Sequence, residues 1–245
     1  MRIQSIGSSV NFGYNKQLND TVNKKLEKTL VFLSDKVNTY VYLPSVIKNN
    51  YKNIIKKYLE DIIQKYKIKG FVISNLSNLK FLEGYKSNFE IIGNSSLNIF
   101  NNYSIKECAE YGINKVTLSR ELSKTELEDI LKYNLDIDTE LIVYGTLPIM
   151  SCNYCFLGKS NMCYPECKRL CSDDNSYYLK DRLGFKFRIV SDNIQSITSI
   201  FNSKILSISP KTFNVSSVRI DILDENVTTI NKIIETVKSG KSFEG

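Results

Sequence analysis

Histidine does not occur anywhere in the 245 residues, and that absence removes whole reaction classes. A Ser-His-Asp triad, a Cys-His dyad and a histidine-ligated catalytic zinc cannot be assembled within the chain. An aspartic dyad remains open in principle, but no pair of Asp residues stands in a recognisable strand-turn context. Long apolar runs are also missing: none approaches the roughly 20 residues that cross a bilayer. The opening MRIQSIGSSV lacks the uninterrupted apolar core of a secretory signal. These features predict a cytoplasmic protein with no membrane contact. Proline and glycine are sparse, at 4 and 11 residues, and the chain shows neither a low-complexity tract nor an obvious flexible linker. Its length suits one substantial domain or two small ones.

Lys and Arg outnumber Asp and Glu by 33 to 26. A formal charge of +7 is compatible with an RNA or another polyanion as partner. The basic residues are scattered, however, and most fall where amphipathic helices need a solvated face.

Leu18, Val22, Leu26, Leu30 and Leu33 recur at spacings of four and three, which predicts a leading helix over 15–34 within a segment of residues 1–38. Beyond it, β-rich runs alternate with amphipathic stretches. Strands are expected in TYVYLP (39–44), GFVISN (70–75), EIIGN (90–94), KVTLS (115–119) and TELIVYG (139–145). Between them, Ile54, Ile55, Tyr58, Leu59, Ile62, Ile63 and Tyr66 share one face of a helix over about 50–66. A short helix spans Ser104 to Tyr111, and Ser123 with Glu126 forms a capping box. FKFRIVSD (185–192), KILSIS (204–209) and SVRIDIL (217–223) restore strand character, and a last helix is stopped by Gly240. This alternation implies an α/β fold: a β/α barrel-like core over 39–240, complete or partial, interrupted by a cysteine-rich insertion at about 146–184.

Five of the six cysteines crowd into that insertion, as Cys152-x2-Cys155-x7-Cys163-x3-Cys167-x3-Cys171, while Cys108 stands apart in a predicted helix. Disulfides suit a reducing cytosol poorly. Structural zinc usually takes two C-x2-C knuckles, and only the first pair here has that spacing. A 4Fe-4S cluster tolerates wider and less regular spacing. Pro165 in the first turn of a helix would put Cys167 and Cys171 at i and i+4 on one face, just after Cys163. Cys155 could supply the fourth thiolate, with Cys152 as its substitute. Lys159, Lys168 and Arg169 would offset the negative charge of such a cluster, or simply be solvated. The radical SAM pattern, C-x3-C-x2-C after the first strand, differs in both spacing and place.

As a set, TELIVYGTLPIM, CNYCFLG, CYPECKRLC, YYLKDRLGFKFRI and FNSKILSI, with GNSSLNIFN and VTLSREL upstream, resemble the collagenase-like peptidase family U-32. The likeness covers most of residues 39–240, and the stretch from Glu140 to Gly145 leading into the cysteines carries it best. The resemblance implies a β/α barrel-like core with a 4Fe-4S cluster, and ligand roles for Cys155, Cys163 and Cys167. Many relatives take a further ligand from a cysteine downstream of the YLKDR hairpin, where this chain reads SDNIQSITSIFNS, so Cys171 is the replacement. Pro148 also stands where many relatives have Cys. Relatives carry additional sequence on both sides, which implies a fragment, a short paralogue or one half of a heterodimer with a related subunit.

Three functions follow. The resemblance implies oxygen-independent hydroxylation of tRNA or rRNA, with a small-molecule oxygen donor such as prephenate. Barrel-mouth candidates for that reading are Asn94, Asn98, Glu121, Lys180, Asp181 and Arg182, although the Asn residues also favour turns and LKDRLG reads equally well as a hairpin turn around Gly184. The family name implies a peptidase. The third reading is a non-catalytic scaffold folded around zinc or a cluster.

Overall fold

The apolar runs of the first half pair in the order in which they occur along the chain. In the computed structural model, which describes residues 27–133, 137–156, 176–192 and 197–243, β1 (Tyr40–Tyr42), β2 (Gly70–Ile73), β3 (Glu90–Gly93), β4 (Lys115–Thr117) and β5 (Asp138–Cys152) are parallel and sequential neighbours. The late strand β9 (Ser217–Ile220) joins the other side of β5, also parallel. Parallel pairing requires a crossover at each step, and sequential order with crossovers is the strand arrangement of a β/α barrel. The barrel-like expectation therefore holds at the level of strand order.

The described residues fall into two compact units, 27–145 with 207–243, and 146–206. In the first, strands buried on both faces read as near-continuous apolar runs. Phe71, Ile73, Ile91, Val116 and Val143 are essentially inaccessible. Helix α1 (27–34) is the described part of the predicted leading helix. Helix α2 (Lys52–Lys65) buries Ile55, Leu59 and Ile62 from its predicted stripe. Helix α3 (Asn102–Glu110) is capped by Asn101 and buries Ile105 and Cys108. Ser123 opens α4 (Lys124–Leu131) with the reciprocal capping box expected from Glu126. Asn226 caps α5 (Val227–Lys238), whose stripe buries Ile233 and Val237 before Gly240 turns left-handed at φ +81°. Between β2 and β3 the chain makes only a 3-10 helix, Leu76–Leu82.

The second unit is antiparallel. β6 (Tyr177–Lys180) and β7 (Lys186–Asp192) form a hairpin, β7 pairs with β8 (Ile197–Ser207), and β8 neighbours the far half of β5. Of the predicted cysteine-rich insertion, 146–156 and 176–184 fall in this unit, and 157–175 lie outside the described residues. Among the described residues no helix is long and apolar enough to cross a membrane.

Candidate functional site

Side chains in parallel strands share a face with their register partners. Thr117 lies opposite Glu140, and Glu140 opposite Ser217. Arg219, two residues further along β9, belongs to the same face. In the first unit this face gathers polar groups at the carboxyl ends of the strands: Tyr42 ending β1, Ser74 after β2, Asn94 after β3, Thr117, Glu140, Arg219, and Asp221 just beyond β9.

Arg219 is the hub. Its Nε donates to Asp221 Oδ1 at 2.5 Å and one terminal nitrogen to Asp221 Oδ2 at 3.3 Å. The other terminal nitrogen donates to Asn94 Oδ1 at 2.9 Å and lies 3.9 Å from Glu140 Oε1. That Glu140 oxygen also accepts from the Thr117 hydroxyl at 2.9 Å. The Asn94 amide donates to the Tyr42 hydroxyl and to Ser96 Oγ at 3.2 Å, and Ser96 in turn donates to the Ser74 carbonyl at 2.8 Å.

The cluster is graded from floor to rim. The Glu140 side chain is 3% exposed, that of Arg219 11% and that of Asp221 31%. Burial pushes the Glu140 carboxyl above its ordinary range, against the pull of Arg219 and the Thr117 hydrogen bond. Burial works against the charge of Arg219 too, but Asp221 outweighs it, so this guanidinium stays firmly protonated. Half-buried Arg120 is pulled below its ordinary value by burial, although Asp221 and Tyr42 favour its charge.

Backbone geometry makes the arrangement possible. Gly145 adopts φ +144°, and a Cβ there would sit 2.6 Å from the Asp221 carbonyl and 2.7 Å from Asp221 Cβ. The Asp221 amide donates to the Tyr144 carbonyl at 2.8 Å. A residue with a side chain at 145 would push Asp221 off the guanidinium.

Chemically, the cluster offers ion pairing and hydrogen bonding. An aspartic dyad needs two carboxyls in contact sharing a proton. Here Arg219 engages both Glu140 and Asp221. Thr117 donates to a carboxylate, yet the residue is wholly buried on its strand and closed to substrate.

In the second unit, Cys152 ends β5 and donates to the Thr198 carbonyl at 3.6 Å. The buried Thr198 hydroxyl donates to the Tyr154 carbonyl at 2.6 Å, tying the C-x2-C turn to β8. Both Cys152 and Cys155 are half-buried.

A model of peptidase family U32 matches residues 9–221, a span that holds both cysteines and every member of the polar cluster. The chain belongs to peptidase family U32. Among solved structures, that of the U32 peptidase Mk0906 is 8% identical and aligns over 82% of this chain and 76% of its own, with a TM-score of 0.50. At that identity the likeness is one of fold. A comparison with curated proteins gave no match.

In this U32 protein, Cys163, Cys167 and Cys171 lie outside the described residues, as do Lys159, Lys168 and Arg169. Among the described residues no three His, Cys, Asp or Glu side chains converge as metal ligands. The two described thiols of the C-x2-C are soft donors of the kind iron-sulfur clusters and zinc both accept, so either one fits a sulfur-ligated centre as a ligand. Cys108 is buried in α3, where burial raises its thiol pKa, and it packs as a small hydrophobe.

Of the mouth residues read from sequence, Asn94 joins the cluster. Glu121 is exposed next to Arg120. Asn98 takes the left-handed position after a 3-10 turn, at φ 55°. Asp181 accepts from the Leu183 and Phe185 amides, both at 2.9 Å, which makes LKDRLG the hairpin turn between β6 and β7. Lys180 and Arg182 are exposed on that hairpin. Sequence reasoning missed Tyr42, Arg219 and Asp221. The signal for Arg219 and Asp221 lay in SVRIDIL, where charges alternate with apolar residues at period two, whereas Tyr42 stood in TYVYLP, read only as a strand.

Proposed function

We propose that this U32 chain is an enzyme, or a subunit of one, that hydroxylates tRNA or rRNA with a 4Fe-4S cluster ligated by Cys155, Cys163, Cys167 and Cys171, Cys152 being the substitute. The observation that carries the choice is the make-up of the polar cluster. Arg219 engages both carboxylates, and no histidine exists to activate a hydroxyl or a thiol, which disfavours peptide hydrolysis by a carboxylate dyad or a histidine-activated nucleophile. The peptidase reading rests on the family's description.

A cluster bound by the cysteines supplies one-electron chemistry. The protein's own side chains bind and orient. Half-buried Arg120 lies within electrostatic reach of Asp221 and Tyr42 and would pair with an incoming carboxylate. Tyr42 and Asp221 beside it offer a hydroxyl and an acceptor that fix the orientation of a small oxygen-bearing acid such as prephenate. Glu140 and Thr117 hold Arg219 in place from below. The surplus of basic residues attracts RNA without specifying it.

The test is mass spectrometry of tRNA and rRNA nucleosides from cells with and without the gene. Loss of one hydroxylated nucleoside, restored by the wild-type chain but not by Arg120→Ala, is the expected result. An unchanged nucleoside profile removes RNA as substrate.

A further inference from the structure

The polar cluster occupies the carboxyl ends of the strands, but the same face of β4, β5 and β9 has another end. There a cavity of about 540 Å³ is lined by Lys115, Asp138, Ser217, Lys211, Lys238 and Gly240 among others. Lys115, Asp138 and Ser217 are the first residues of their three strands. We propose that this cavity is a second binding site, one that takes a small phosphate-bearing molecule.

Charge is the first reason. Three lysines face one aspartate in the lining. Buried Lys115 lies in register with Asp138, and its charge also reaches Glu140. Lys211 and Lys238 are exposed and have no ion pair among the described residues, so positive charge exceeds negative charge in the lining.

Geometry is the second. Gly240 has no side chain, and the end of Lys211 lies across that space: Lys211 Cε stands 2.1 Å from where a Cβ would be. The ammonium is thereby drawn over the cavity wall. Lys238 is the last residue of α5 and Lys211 lies against Gly240 just beyond it, so the negative end of the helix favours both cations.

An unused hydroxyl is the third. Ser217 Oγ is buried without a hydrogen-bond partner among the described residues, on a residue that lines the cavity. A buried hydroxyl without a partner is costly, and rotation of the Ser217 side chain toward the cavity would let a phosphate oxygen accept from it. Size argues for a small ligand: the volume is that of a small-molecule pocket, and a nucleic-acid strand would need a longer basic track. Val237, Lys238 and Gly240 lie beyond residue 221, where the family match ends. The site is therefore independent of the hydroxylation reading and can stand or fall without it.

Isothermal titration of the full chain with inorganic pyrophosphate and with AMP, at ionic strength held constant with sodium chloride, tests the proposal. Saturable binding is expected, weakened about tenfold by Lys211→Ala and again by Lys238→Ala, and unaffected by Lys86→Ala on an unrelated turn. In the wild-type chain, the amide resonances of Ser216, Ser217 and Gly240 should shift along the same titration, which needs no variant to fold. Absence of saturable binding overturns the proposal. So does equal binding by the double variant, or binding of a short single-stranded RNA by a chain that ignores both phosphates.

Discussion

Arg219 faces two carboxylates, and its removal leaves buried Glu140 without its cation and half-exposed Asp221 without its partner. Glu140 would keep its hydrogen bond from Thr117, and Asp221 would lose both of its contacts with the guanidinium. Breaking a buried ion pair from one side typically costs about 3–5 kcal/mol. Arg219→Met should lower the unfolding free energy by that order in urea titrations, and Glu140→Gln in the same background should restore part of it. A simple sum of the two single effects would show that the residues do not interact.

Glu140 carries a pH signature in the acid range. Its folded pKa is raised, chiefly by burial, so between the ordinary glutamate value and the folded value the native state binds more protons than the unfolded state. Stability from this group is present below the unfolded pKa and is lost as pH rises through the folded one. Wild type should therefore lose stability relative to Glu140→Gln as pH climbs through that window. A difference that stays flat across the acid range, or runs the other way, contradicts the assignment.

At the scale of elements, Gly145 decides whether β5 and the end of β9 can approach. Gly145→Ala should destabilise by roughly 1–3 kcal/mol for the left-handed backbone and displace Asp221 besides. Calorimetry would register the first effect. A crystal structure with Asp221 still on Arg219 would refute the second.

The helices were legible because burial imposes a 3.6-residue period, and Ile55, Leu59 and Ile62 follow it. The capping box at Ser123 and Glu126 was legible because it is chemistry local to four residues. Strand ends were less so. β5 runs on past Gly145 to Cys152 through a segment containing Pro148, and β8 starts at Ile197 instead of 204, because pairing with a neighbour extends a strand beyond what its own residues signal. The site was least legible. Arg219 and Asp221 alternate with Val218 and Ile220, a pattern that usually marks a solvated sheet face. Only the parallel pairing of β9 with β5 turns that face toward Glu140, and a partner 79 positions away leaves no local trace.

In the first unit, the carboxyl ends of the strands carry an ion-paired cluster, while the cavity at their amino ends is lined by Lys115 of β4, by Lys211 and by Lys238 of α5. The carboxyl face is where β/α barrels place their chemistry. The cysteines belong to a separate unit, and the account of function depends on what they hold. The most direct measurement is iron, sulfide and zinc content with a visible spectrum, on protein purified without oxygen. The account predicts a brown protein with about four irons per chain and no stoichiometric zinc, bleached or iron-poor in Cys155→Ser. A colourless, metal-free chain whose thiols all titrate freely would contradict it.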